Sequence, residues 1–168
     1  MTDNFKETYQ KIQRQAMRLT INKIWKMIKA DNYDDLRPEE LKLATIIMKH
    51  QEYQDYFENE EILDGSEFEM PSGTNPFLHI SLHQMAEDQL ASEKPVEAAL
   101  LCEYIEKMGY SRHEAVHVII MILIHMIFDA YKSQGSFDVE RYKRLLVKCR
   151  MVKVPEMQGV VERDFFSN

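Results

Sequence analysis

Between Val116 and Phe128 the chain is apolar at every position except His117 and His125. A stretch of that kind has to be buried on almost all sides. Just upstream stands Ser111, with Glu114 three residues later, the pattern of a helix N-cap and its capping box. Together these predict one long helix that runs through Tyr131, stops before Gly135 and forms the centre of a helical bundle. The run is too short for a comfortable membrane span, which takes about 20 apolar residues, so no membrane association is expected.

The rest of the chain repeats the helical period. Phe5, Tyr9, Ile12, Ala16 and Leu19, then Ile21, Ile24, Trp25 and Ile28, recur at three- and four-residue steps and predict an amphipathic helix over residues 4–30. Asp31-Asn32-Tyr33-Asp34-Asp35 stops it. Pro38, followed by Glu39 and Glu40, opens a second helix to about Phe57, with Leu41, Ala44, Ile47 and Met48 as its stripe. Residues 59–75 are acidic and then contain Pro, Ser and Gly, and read as the one long linker. Asn75-Pro76 supplies a cap and a first-turn proline for a helix over 76–91. Pro95 opens a fourth helix that Gly109 ends, and Asp138 caps a sixth to about Arg150. No segment alternates with period two. The expected fold is all-α, a bundle of five to six helices in one domain over 1–150, with 151–168, which carries Pro155 and Gly159, as a C-terminal tail.

Charge and cysteine content narrow the setting. The net charge is −7, which argues against nucleic acid, because phosphate contacts need clustered Lys and Arg. The two basic stretches, Lys23–Lys29 and Arg141–Lys153, read as solvated helix faces. A protein partner or a homo-oligomer remains as the class of partner, consistent with the eleven methionines, a residue that fills helix gaps and lines adaptable surfaces. Cys102 and Cys149 have no C-x-x-C spacing and are expected as reduced thiols. With an N-terminus that lacks a signal-peptide apolar core, this gives a cytoplasmic setting.

One constellation could carry chemistry. His79, His83 and Glu87 are each four apart on the helix over 76–91, so they lie along one stripe. His113 and His117 are a second i, i+4 pair near the start of the long apolar helix, a spacing that can bind one metal ion through two imidazoles. Short turns make successive helices antiparallel, so the two His-bearing helices run parallel and their pairs stand at nearly the same height. The expectation is that the imidazoles of His79, His83, His113 and His117 converge, with Glu87 close behind. His125 is eight residues past His117, about 12 Å along the axis, so it belongs to a second position. His50 and Asp129 are weaker candidates. His113-Glu114-Ala115-Val116-His117 also fits the H-E-x-x-H spacing of zinc peptidases. The longer pattern fails at Ile120 and Leu123, and Glu114 is better explained as a cap.

These residues bear a family resemblance. The run Asn75-Pro76-Phe77-Leu78-His79-Ile80-Ser81-Leu82-His83, with Glu87 and Gln89 after it, resembles an uncharacterised bacterial family of small helical proteins, domain of unknown function 1841. His50-Gln51-Glu52-Tyr53-Gln54 is similar to a His-Pro-Glu-Tyr-His stretch of that family. The His113 and His117 pair and a helix ending near Asp129 also look like its pattern. The resemblance covers roughly residues 15–135. The chain departs from it at Gln51 and Gln54, and at Met121 and His125, where the family pattern implies carboxylates. The resemblance implies a cytoplasmic bacterial helical domain and no activity.

The sequence therefore points to a helical-bundle protein that binds a transition metal ion, zinc, iron, manganese or nickel, since imidazole and carboxylate ligands do not choose among them. The alternative is a helical interaction module without metal or catalysis, and the third reading is the H-E-x-x-H peptidase. Whether the chain is an enzyme is left open by the sequence.

Overall fold

The structure, a computed structural model, describes residues 3–68 and 74–166. The described residues form eight α-helices and three single 3₁₀ turns, with no strand among them. The chain is thus all-helical, with more helices than the five to six expected. It divides into two compact units, residues 1–81 and 82–168, each with its own core.

In the first unit, α1 (Asp3–Lys29) buries Ile21, Ile24 and Trp25. It ends in a left-handed Asp31 at φ 51°, where the Asn32 N–H reaches back to the Met27 carbonyl at 3.0 Å and closes the last turn. Helix α2 (Pro38–Met48) starts on Pro38, as read from the sequence, but stops well before Phe57. The cause is a side chain. In a continued helix the Ile46 carbonyl would accept the His50 backbone N–H. Here it accepts the Lys49 backbone N–H at 3.0 Å and the His50 ring Nδ1–H at 2.8 Å instead, and the backbone at His50 leaves the helical region (φ −128°, ψ 48°). The chain resumes as the 3₁₀ turn Gln51–Tyr53 and α3 (Gln54–Glu58). Phe57, with Phe77 and Ile80 from the first turns of α4 (Pro76–Ser92), completes this core.

The described part of the predicted linker is pinned to α1. Arg18, 2% exposed, donates to the Ile62 and Ser66 carbonyls and lies over the rings of Phe68 and Phe77, 4.9 and 5.3 Å from their centroids. Arg14 donates to the Gly65 carbonyl at 3.0 Å. Gly65 sits at φ +81° against α1, where a Cβ would meet the Lys11 carbonyl oxygen at 2.4 Å, so only glycine fits. Residues 69–73 of the linker lie outside the described residues.

Buried Glu40 closes the N-terminus of α2. Hydrogen bonds from the Arg37 side chain, then the Arg37 backbone N–H, then Lys23 hold its carboxyl at a pKa of about 2. The folded value lies below the ordinary value of about 4.3. The stabilisation is therefore fully present above that ordinary value and is lost as pH falls toward 2. Urea midpoints measured against pH should show Glu40→Gln less stable than the parent by a constant margin above about pH 5.5, with the two curves converging on acidification. A margin independent of pH would refute the assignment.

In the second unit α4 continues, followed by α5 (Val96–Lys107), α6 (Arg112–Ser133), α7 (Val139–Cys149) and α8 (Met157–Phe166). The expected caps are present. The Asn75 side chain accepts from the Phe77 and Leu78 N–H groups, Ser111 and Glu114 form the capping box of α6, and Asp138 accepts from Arg141 N–H. Gly109 takes φ +91° after α5. Helix α6 is the centre of this core, burying Ala115, Val116, Ile119, Ile122, Leu123 and Met126. It is also the one helix among the described residues that is long and apolar enough to cross a membrane by length and composition. The segment expected as a tail contains a 3₁₀ turn and α8, and Met157 and Val161 of α8 are buried in the core. Pro155 starts that segment rather than ending structure, and the apolar stripe of α8 packs on α6 and α7.

Candidate metal centre

Three histidines of the second unit gather. His83 comes from α4, and His113 and His117 come from the first turns of α6. The capping box at Ser111 fixes where α6 begins, and the four-residue spacing puts His113 and His117 on one face. The Nε2 atoms of His83 and His117 are 2.8 Å apart. The rings of His83 and His113 lie nearly parallel with centroids 5.1 Å apart, and those of His113 and His117 are 4.3 Å apart. One ligand nitrogen from each of the three falls within 4.8 Å of the others. His83 is 2% exposed, His113 is half-buried and His117 is exposed.

The donor set suits a transition metal ion. Nitrogens ligating one zinc ion stand about 3–4 Å apart, given Zn–N near 2.0–2.1 Å. The 2.8 Å between the His83 and His117 nitrogens needs only a small expansion to reach that. His117 is the solvent-exposed member of the group.

The other sequence candidates each have identifiable partners. Within the first unit, the His79 ring packs edge-on against His50 (4.8 Å between centroids) and Tyr53 (5.5 Å). His50 itself is buried and caps α2. Its Nδ1 carries the proton given to Ile46, which leaves Nε2 as the lone-pair nitrogen. Glu87, expected behind the imidazoles, accepts a 2.8 Å bond from the Arg112 guanidinium. Glu114 accepts from the Ser111 N–H and hydroxyl, each at 2.7 Å, and these bonds hold its carboxyl below its ordinary pKa. The glutamate of the H-E-x-x-H spacing is thus engaged in capping. His125 donates Nδ1–H to the Met121 carbonyl at 2.7 Å and packs against Phe165, and Asp129 pairs with Arg141 at 2.8 Å. Cys102 and Cys149 are free, buried thiols that burial pushes up to about 11, so neither is a thiolate nucleophile at neutral pH.

Sequence reasoning passed over Arg112, Tyr53 and Arg141. Arg112 stands beside His113, and its one-residue offset from the histidine stripe was a usable signal for a neighbour of Glu87. Arg141 binds Asp129 and Asp164, which are distant in sequence and give no local signature.

Searches of curated proteins and of solved structures return no match. One family does match: its sequence description, Domain of unknown function (DUF1841), covers residues 13–148, and with most of its length so matched, the chain belongs to that family.

Proposed function

We propose that this protein binds a divalent transition metal ion through His83, His113 and His117. The observation that carries the reading is the 2.8 Å approach of the His83 and His117 Nε2 atoms, with the His113 ring stacked beside them. Ring nitrogens gathered this closely form a donor set that a single ion can bind together. Zinc is the first candidate, since imidazole nitrogens are among its usual ligands. Iron and nickel also suit imidazole. The ion would act as a Lewis acid toward a molecule entering from the His117 side, while His83, buried and fixed on α4, sets the depth at which it sits. The net charge of −7 disfavours nucleic acid as that molecule.

Elemental analysis of protein purified without a histidine tag tests the proposal. One equivalent of metal, or saturable uptake of one equivalent on titration, is expected. Less than about a tenth of an equivalent with no saturable uptake would sink it, because a built site binds stoichiometrically.

A metal-free reading is favoured by the same distance seen differently. Two neutral imidazoles in complementary tautomers form an N–H···N bond of this length. The chain would then be a helical interaction module with a histidine pair as a polar element of its fold. Nitrogen-15 shifts of the imidazoles separate the two, since coordination moves the Nε2 resonances of all three rings on zinc addition and a hydrogen bond leaves them unchanged.

A further inference from the structure

A groove of about 500 Å³ lies between α6 and α8 in the second unit. Its size falls within the usual range for small-molecule sites, roughly 300–1,000 Å³. Ile124 and Phe128 of α6 and Phe165 and Phe166 of α8 supply apolar walls, and two of these rings stay largely in solvent, Phe128 at 55% and Phe166 at 70% exposed. The walls are held in place. Arg141 of α7 donates to the Asp129 carboxylate, to the Asp164 carboxylate and to the Asp164 carbonyl at 2.8–2.9 Å. Its guanidinium lies 4.0 Å from the Phe165 ring centroid. One side chain thus ties α8 to α6.

The polar lining is asymmetric in charge. Asp129 is neutralised by Arg141, and Asp164 by Arg141 and Lys148. His125 is committed at Nδ1 to the Met121 carbonyl, so its other ring nitrogen is an acceptor. Lys132 also lines the groove, and among the described residues it has no ion pair or hydrogen bond. Among the described residues the groove therefore offers apolar walls, one uncompensated positive charge and no uncompensated negative one.

We infer that this groove binds an amphipathic monocarboxylate, its hydrocarbon chain against Ile124, Phe128, Phe165 and Phe166 and its carboxylate on Lys132. A single ammonium selects a single anionic head group, and the fixed aromatic walls select an alkyl or aryl body. The site is separate from the histidine triad and does not depend on a metal there.

Calorimetric titration of the full chain with decanoate, below its micellar concentration, tests this. Saturable binding of one decanoate is expected, with decyltrimethylammonium at least about tenfold weaker because the head-group charge is reversed. Lys132→Glu should weaken decanoate by about tenfold or more and favour the cation instead. That side chain is exposed and in the last turn of α6, so an unchanged circular-dichroism melt should accompany the loss. Phe128→Ala should weaken both probes alike. Absence of saturable decanoate binding, equal affinity for the two probes, or indifference to Lys132→Glu would each overturn the assignment. So would self-association that decanoate does not reverse and Phe128→Ala abolishes, since the groove would then be a surface between copies of the chain.

Discussion

Saturating zinc is expected to raise the melting temperature of the metal-free protein by roughly 8–16 °C, and His117→Ala to remove that rise. The size follows from linkage: free ion at a thousand times Kd adds about 4 kcal/mol to the folded state, and about 2–4 °C accompanies each kcal/mol in a chain of this length. His117 is the informative position because it is exposed. Its removal also takes the 2.8 Å partner from buried His83 and should cost the metal-free protein about 1–3 kcal/mol, so the test compares the zinc-induced shifts and not the absolute melting temperatures. His83→Ala is a poorer test alone, since His83 is buried and its loss destabilises with or without metal. Differential scanning with and without chelator reads both variants. An equal zinc shift in the parent and in His117→Ala, or no shift in either, would exclude coordination by the triad.

The second large effect lies in the first unit. Arg18→Ala should cost about 3 kcal/mol, the scale on which a buried, charge-assisted network is lost together with its packing. The side chain holds two carbonyls of the 59–68 segment and lies over the rings of Phe68 and Phe77. Burial, and next the charge of Arg14, pulls its pKa down, yet it remains the cation on which the segment is anchored. Arg18→Lys should recover only part of the loss, because an ammonium lacks the flat guanidinium face that lies over the rings of Phe68 and Phe77. Urea unfolding measures both variants. A loss of under about 0.5 kcal/mol, the level of an ordinary surface change, would show that the anchor contributes nothing.

Much of this fold was legible because its signals are local. Asn75-Pro76, Ser111 with Glu114, Gly109 and Asp138 mark helix ends through chemistry contained within a few residues. The end of α2 was not legible, since it depends on a histidine ring taking over a backbone acceptor, and His50 carries no helix-breaking propensity that would announce this. Helix α8 was hidden for a different reason. Pro155 and Gly159 look like breakers in isolation, and the burial of Met157 and Val161 outweighs them. For the site, the i, i+4 spacing identified His113 and His117, and matched helix depth brought in His83. Glu87 shares the stripe of His83, but a stripe position says nothing of competing partners, and Arg112 engages its carboxylate. Likewise His79 is one turn from His83 on the same helix, and its neighbours in the first unit, His50 and Tyr53, come from a segment whose path depends on the unforeseen end of α2.

The unequal exposure of the three histidines gives the proposed site a direction of traffic. An ion arriving from solvent meets His117 first, exchanges its water for imidazole nitrogens one at a time, and ends against the buried His83. Departure reverses that order, and a competing ligand can take hold of the ion on the His117 side while His83 still holds it. A centre closed on every side releases metal only when the surrounding protein opens. A centre bound as proposed would release its ion by ligand exchange, with an off-rate that should rise with the concentration of an acceptor chelator instead of being set by unfolding.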